Sequence, residues 1–201
     1  YVSIMAILDL NCQPREYVNL LMKIFHIPNL LSGSRLALAP LAFYLIDNLM
    51  WRAAAILVLV AVLTDLLDGY LARRLQLESH WGGLLDHSSD AFFVTVTLAA
   101  LATQNLVSWL LPGIIIGAFF QYVVDSKAIL GQSLRASLLG RYNGIAYFVL
   151  AGWPVMQYGL NVHPLDDHWF YWASWALITS TAVSMLDRLL ALRRARSGAH
   201  T

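Results

Sequence analysis

Four aspartates near the middle of the chain have the type and spacing that predict chemistry. Asp65 and Asp68 are three residues apart, and Asp86 and Asp90 are four residues apart. On an α-helix, each spacing puts both side chains on one face. Carboxylates brought together repel one another and stay ionised only beside positive charge. Mg²⁺ and Mn²⁺ prefer such oxygen ligands, and a pair of these ions suits phosphoryl chemistry.

Small and basic residues accompany the two aspartate pairs. Gly69 and Ala72 leave room beside the first pair, and Gly82 does so one helical turn before Asp86. Arg73 offers a planar, forked donor that matches a phosphate group. The same stretch therefore predicts both a metal site and a phosphate-bearing ligand.

The composition indicates what kind of structure positions these residues. Hydrophobic residues make up 59% of the 201-residue chain and charged residues only 12%, whereas a soluble domain has about 25% charged residues. The net charge of +1 shows no basic excess of the kind that nucleic-acid binding requires. The expected fold is an all-α, polytopic membrane protein.

Six apolar segments approach the ~20 residues that a transmembrane helix needs. They are residues 31–50, 53–72, 86–105, 107–125, 142–160 and 170–190. Residues 1–25 mix charged and apolar side chains and predict an amphipathic helix at the membrane interface. The expected organisation is this juxtamembrane segment, 1–25, followed by a six-helix domain over 26–201.

The distribution of lysine and arginine predicts the orientation, because these residues accumulate in cytoplasmic loops. With six spans, one side carries nearly all of them, and the other side has only Arg52. The first group comprises Arg15, Lys23, Arg73, Arg74, Lys127, Arg135, Arg141, Arg193, Arg194 and Arg196. Both termini and the four aspartates are then expected on the cytoplasmic side. Spans 2 and 3 are antiparallel neighbours, so their acidic faces can meet.

The run from Asp65 to Asp90 resembles the signature of the CDP-alcohol phosphotransferases. That signature reads D-x-x-D-G-x-x-A-R, eight residues, G-x-x-x-D-x-x-x-D, and every fixed position and the spacing match. The resemblance implies that the four aspartates hold two divalent ions, Mg²⁺ or Mn²⁺. It also implies a CDP pocket shaped by small and polar residues. Those residues are Asn29, Gly69, Ala72, Arg73 and Gly82.

The same resemblance implies a mechanism. Asp90 takes the proton from an acceptor hydroxyl, the oxygen attacks the β-phosphorus of a CDP-linked donor such as CDP-diacylglycerol, and CMP leaves. His87 lies inside the signature, but no fixed position requires it, and we do not assign it as a ligand.

Two further stretches resemble one branch of this family, the phosphatidylglycerophosphate and cardiolipin synthases. Pro28, Asn29, Ser32 and Arg35 follow that branch's P-N-x-x-T-x-x-R pattern, with serine in place of threonine. The stretch 140–143 resembles its G-K-x-K/N pattern. An anion pocket for a phosphate-bearing acceptor is therefore expected, and its candidate residues are Ser32, Arg35, Lys127, Arg135 and Arg141.

The resulting hypothesis is an enzyme that transfers a phosphatidyl group from CDP-diacylglycerol to an alcohol, with glycerol 3-phosphate as the expected acceptor. Phosphatidylglycerol, serine and inositol phosphate are alternative acceptors. The resemblance also implies a homodimer embedded in the bilayer, with a bacterial inner membrane as the expected location.

A divalent-cation transporter and an inactive membrane scaffold are the non-enzymatic alternatives. A transporter should carry carboxylates through several spans, whereas here they cluster at one end. The complete aspartate set argues against the scaffold.

Overall fold

The computed structural model describes residues 27–75, 80–125 and 138–197, and these residues form six α-helices. The helices are α1 Ile27–Asp47, α2 Trp51–Leu75, α3 His80–Thr103, α4 Leu110–Asp125, α5 Leu138–Leu160 and α6 Asp167–Ser197. Each overlaps one predicted apolar segment, which confirms the all-α class and the helix order. The amphipathic helix predicted within 1–25 lies outside the described residues.

The sequence also predicted that all six helices are transmembrane spans. Within the described parts of the chain, none of the helices is both long and apolar enough to cross a membrane.

Three helices end in the same way, at the end of the bundle away from the aspartates. Leu49, Asn105 and Asn161 follow α1, α3 and α5 with positive φ angles of 58°, 58° and 56°. After α1, the Met50 amide donates to the Leu45 carbonyl at 2.8 Å and the Leu49 amide donates to Ile46 at 3.0 Å. This Schellman pattern satisfies carbonyls that the helix end leaves unpaired. It also turns the chain sharply into the next helix.

Small side chains lie among the buried residues where α1 and α2 pack. α1 packs mainly on α3 and also on α2, while α2 packs on α5 and α6 covers both α4 and α5. The buried positions on α1 and α2 include Ala39, Ala42, Ala54 and Ala61. Residues of this size let helix backbones approach closely. The end of α2 and the start of α3 lie at one end of the bundle, where Asp65 and Asp86 both contact Arg35.

α5 approaches α2 closely at Gly159, and this contact generates a stability prediction. A Cβ atom at Gly159 would overlap the Ala55 Cβ and lie 2.9 Å from the Trp51 carbonyl oxygen. Gly159→Ala should therefore destabilise the fold by about 1–3 kcal/mol, as overpacking does. The thermal unfolding midpoint of the purified protein measures this.

Gly113→Ala is the matched control, because a Cβ atom at Gly113 meets nothing within 4 Å. Since alanine favours a helix over glycine, this variant should unfold at the native temperature or above. Equal midpoints for the two variants would contradict the predicted close approach.

Candidate active site

Three helices bring their charged side chains together at one point. Arg35 of α1 donates from Nη1 to Asp65 Oδ1 of α2 at 2.5 Å and also to Asp90 Oδ1 of α3. Its Nη2 donates to Asp86 Oδ1. The Arg35 side chain is only 2% exposed, so the guanidinium is buried among carboxylates from two other helices. We call Arg35, Asp65, Asp86 and Asp90 the carboxylate cluster.

The local sequence of α3 presents its two carboxylates without competition from the serines between them. Asp86 and Asp90 are one helical turn apart and therefore share a face. The Ser88 hydroxyl donates to the Leu84 carbonyl at 2.7 Å, and the Ser89 hydroxyl donates to the Asp86 carbonyl at 2.9 Å. Both hydroxyls satisfy the helix backbone, and the aspartate oxygens remain available to Arg35 and to ligands.

The carboxylate cluster has the donor chemistry of a hard divalent cation. Asp65, Asp86 and Asp90 each offer an oxygen, and these three atoms lie within 4.8 Å of one another. Their side chains are 34%, 33% and 20% exposed, so an ion can reach them. His87 Nδ1 lies 3.8 Å from Asp86 Oδ2, but the ring is half exposed and is outside this set of ligands. The three aspartates could thus hold a metal ion.

At several predicted site positions, the structure describes the helix to which the residue belongs but not its side chain. Asn29 and Ser32 lie in α1, and Gly82 lies in α3. Their neighbours in the CDP-alcohol signature lie in α2, namely Asp68, Gly69, Ala72 and Arg73. Lys127 and Arg135 fall outside the described residues. The roles assigned to all the residues named in this paragraph, and the binding of two metal ions, stay predictions.

A cavity of about 520 Å³ opens beside Asp90, between α3, α4, α5 and α6. Its rim carries one polar side chain from each helix: His87, Tyr122, Arg141 and Arg188. Seven residues away on each helix, toward the interior of the bundle, the cavity is lined by Val94, Ile115, Phe148 and Thr181. At 1.5 Å per residue, the cavity extends about 10 Å from rim to floor. It therefore has a polar mouth and a mainly apolar floor.

Two arginines give the rim a positive charge. Arg188 places its guanidinium carbon 5.0 Å from the centroid of the Tyr122 ring, which is a cation–π contact. Arg141 is an exposed residue on the same rim. Two cations at the mouth of a concave site concentrate anions there. The rim thus suits a phosphate group.

Hydrogen bonds between side chains hold the cavity walls in place. Ser180 Oγ of α6 donates to Asn143 Oδ1 of α5 at 2.7 Å. The hydroxyls of Tyr147 and Thr181 form a second hydrogen bond between the same helices. Gln121 Nε2 of α4 donates to the Met185 carbonyl of α6 at 3.1 Å. Such paired polar groups fix helix positions in an otherwise apolar bundle.

Sequence reasoning assigned Arg35 to an anion pocket and did not single out Tyr122 or Arg188. The structure places Arg35 in the carboxylate cluster and puts Arg188 on the cavity rim. A signal for Arg188 exists in the sequence, because Thr181, Ser184 and Arg188 form an i, i+3, i+7 polar stripe on a largely apolar helix.

These features define a class: a helical protein in which an acidic cluster lies beside a cavity with a basic rim. The model of the CDP-alcohol phosphatidyltransferase family matches residues 25–186. The chain belongs to this family, which is membrane-bound. The match confirms the family predicted from the aspartate signature.

Named relatives are similar to the chain over different lengths. The CDP-diacylglycerol–glycerol-3-phosphate 3-phosphatidyltransferase of Escherichia coli K12 is 32% identical, over 84% of this chain and 96% of that protein. The enzyme of the same name from Pseudomonas fluorescens is 41% identical, over 45% of this chain and 49% of that protein. A Schizosaccharomyces pombe fusion of a CMP-forming cardiolipin synthase with a mitochondrial hydrolase is 43% identical, over 47% of this chain and 16% of the fusion.

The carboxylate cluster generates a metal-binding prediction. Asp86→Asn removes one anionic ligand and should weaken binding of Mn²⁺ at least about tenfold, in line with the usual effect of losing a group that supports a metal site. Titration of the purified protein with Mn²⁺, followed by the paramagnetic resonance signal of the free ion, measures the affinity.

Asp47→Asn makes the same chemical change at an exposed position, the C-terminal residue of α1, at the end of the bundle away from the carboxylate cluster. This variant should bind Mn²⁺ as the native protein does. If Asp86→Asn and Asp47→Asn had the same affinity, Asp86 would not be a metal ligand.

Proposed function

We propose that this chain transfers a phosphatidyl group from CDP-diacylglycerol to glycerol 3-phosphate and releases CMP. The observation that carries the proposal is the position of Asp90, which belongs to the carboxylate cluster and also lines the cavity. A donor held at the cluster and an alcohol held in the cavity would meet at this residue. The two relatives named as glycerol-3-phosphate phosphatidyltransferases support the choice of acceptor.

The aspartates of the signature would hold the metal ions, Mg²⁺ or Mn²⁺. Asp65, Asp86 and Asp90 have converging oxygens. Asp68 is included as a ligand because it belongs to the same sequence signature. When bound, divalent cations supply positive charge that neutralises the diphosphate and stabilises departing CMP. Arg73, Asn29 and the small signature residues would contact the nucleotide.

Asp90 would act as the general base. Its side chain is partly exposed on the cavity side, within reach of an alcohol bound there. As the acceptor hydroxyl attacks, its proton passes to Asp90 while its oxygen forms a bond to the β-phosphorus. The bond from that phosphorus to the CMP oxygen breaks, and CMP carries away the electron pair. A carboxylate at the point of attack suits this role.

The acceptor phosphate would bind at the cavity rim. Arg141 and Arg188 flank the mouth and can donate charge-assisted hydrogen bonds to it. Lys127, Arg135 and Ser32 remain additional candidates from the sequence. The glycerol hydroxyl would then point inward, toward Asp90.

Transfer to phosphatidylglycerol, as in a cardiolipin synthase, is a second candidate. The apolar cavity floor favours it, because free glycerol phosphate has little apolar surface to cover that floor. The fission-yeast relative, whose name includes a cardiolipin synthase, is consistent with this candidate.

We also propose that the helix bundle is embedded in a membrane, with its aspartate end toward the cytoplasm. Large apolar side chains point outward on several helices: Ile56 is 65% exposed, Phe120 is 70% exposed and Trp172 is 65% exposed. A water-soluble surface rarely shows so many together. The six helices would be the spans, residues 1–25 would lie at the interface, and two copies would pair in a bacterial inner membrane.

The reaction generates an activity prediction. Protein from the membrane fraction, purified in detergent, should release CMP from CDP-diacylglycerol when Mg²⁺ or Mn²⁺ and glycerol 3-phosphate are present. Asp90→Asn should lower the rate by at least about 100-fold, which is the contribution expected of a general base. The release of CMP, followed by chromatography, measures the rate.

The acceptor panel separates the candidates. Phosphatidylglycerol, serine and inositol phosphate replace glycerol 3-phosphate in parallel reactions. Asp166→Asn, a change at an exposed position before α6, is the control for Asp90→Asn and should leave the rate unchanged. Turnover with phosphatidylglycerol alone would favour the second candidate. Turnover only with serine or inositol phosphate would contradict both.

The rim arginines generate a prediction about affinity for the acceptor. Arg188→Gln should raise the KM for glycerol 3-phosphate about tenfold with a smaller change in kcat, because a lost charge-assisted hydrogen bond costs about 1.5–3 kcal/mol. Steady-state rates at saturating CDP-diacylglycerol give both constants.

Arg52→Gln makes the same change at an exposed position at the start of α2 and should leave both constants unchanged. An unchanged KM for Arg188→Gln would place the acceptor phosphate elsewhere.

A further inference from the structure

Arg35 is a buried cation in direct contact with three proposed metal ligands. Its side chain is 2% exposed, and it has an ion pair with Asp65, with Asp86 and with Asp90. Taking a guanidinium out of water is costly unless carboxylates compensate. The three aspartates therefore supply the counter-charge that allows Arg35 to lie inside the bundle. In turn, Arg35 supplies the positive charge that allows three carboxylates to converge.

The guanidinium and a metal ion would draw on the same three carboxylates. Arg35 contacts the Oδ1 atoms of Asp65, Asp86 and Asp90. The aspartate oxygens that could ligate a cation lie within 4.8 Å of one another. Asp65, Asp86 and Asp90 would hold such an ion, and Arg35 Nη1 already contacts two of these ligands, Asp65 and Asp90. A divalent cation and a guanidinium that bind the same carboxylates repel each other strongly.

We propose that Arg35 is the internal counter-ion of the carboxylate cluster and is exchanged for the divalent cation. Arg35 is thus a positioning residue: it acts through Asp65, Asp86 and Asp90, holding them together and setting how tightly they bind metal. In binding, the cation takes over the carboxylate oxygens and the guanidinium moves away from them. The proposal rests on the metal site of the proposed function but not on the identity of the acceptor alcohol.

This role has a distinctive consequence for metal affinity. A residue that only maintained the shape of the site would weaken metal binding when removed. An internal competitor does the opposite, because its loss leaves the same carboxylates with one positive charge fewer. Groups next to metal ligands change affinity by about 10- to 100-fold. The direction of the change therefore separates competition from a purely structural role.

Arg35→Gln tests the proposal in the full chain, purified in detergent without substrate. Titration with Mn²⁺, read from the resonance signal of the free ion, should show binding that is about tenfold tighter than in the native protein. In the presence of a chelator, the variant should unfold at a lower temperature than the native protein, because the three carboxylates then converge with one positive charge fewer. Added Mg²⁺ should raise the unfolding midpoint more in the variant than in the native protein.

Arg35→Lys is the second variant, which retains a positive charge and is expected to fold. Its ammonium is a point charge and lacks the planar fork that reaches three carboxylates at once. Its affinity for Mn²⁺ should consequently lie between those of the native protein and Arg35→Gln. Arg52→Gln, which removes an arginine at an exposed site in α2, should leave the affinity for Mn²⁺ unchanged and controls for the net charge.

Two results would overturn the exchange. Weaker or unchanged Mn²⁺ binding in Arg35→Lys, or in a folded Arg35→Gln, would show that Arg35 only shapes the site. Such a result would leave the proposed transfer intact, because CMP release by the native protein tests that separately. A native protein that binds neither Mn²⁺ nor Mg²⁺ would overturn the exchange and the proposed metal site together.

Discussion

Electrostatic repulsion among converging carboxylates is the constraint on which the arrangement of the first three helices depends. Asp65, Asp86 and Asp90 come from two helices and approach one another closely, which is unfavourable without positive charge. Arg35 provides that charge from a third helix. The packing of α1 against α2 and α3 is therefore coupled to the chemistry of the site, because α1 delivers the cation that the aspartates need.

One end of the bundle is tightly packed, and the other end contains the candidate site. At the end away from the aspartates, Schellman turns follow α1, α3 and α5, and Gly159 lets α5 pack tightly on α2. At the aspartate end, the helices separate enough to leave a cavity bounded by α3, α4, α5 and α6. The tightly packed end fixes the helix axes, so the open end can keep charged groups in place around a space for ligands.

The sequence allowed prediction of the helices and of the aspartate faces, because both depend on local periodicity. Spacings of three and four residues put Asp65 with Asp68, and Asp86 with Asp90, whatever the tertiary structure. The helix limits were less predictable: α3 begins at His80 and α6 continues to Ser197, beyond the apolar segments. Hydropathy reports which residues avoid water, whereas a helix continues as long as its backbone hydrogen bonds do.

Neither the ion-pair partners of Arg35 nor the basic residues at the cavity rim could be predicted from the local sequence pattern. Arg35 is 30 residues from Asp65 and 55 residues from Asp90 along the chain, and only the packing of three helices decides that they meet. Tyr122 and Arg188 likewise come together through the packing of α4 on α6. A motif names the residue types for a reaction, but the tertiary structure decides which charges neutralise one another.

The cavity floor bears on a problem that any transfer to an alcohol must solve, namely competition from water. Val94, Ile115 and Phe148 line the floor and offer no hydrogen-bond partners from their side chains. The hydroxyl of Thr181, the fourth floor residue, is already bonded to the Tyr147 hydroxyl and to the Leu177 carbonyl. Water is poorly held in such surroundings, since an ordered water needs two or more polar partners. A polar acceptor, in contrast, finds its partners at the rim. For the proposed transfer, this division would keep the acceptor hydroxyl, and not water, beside Asp90.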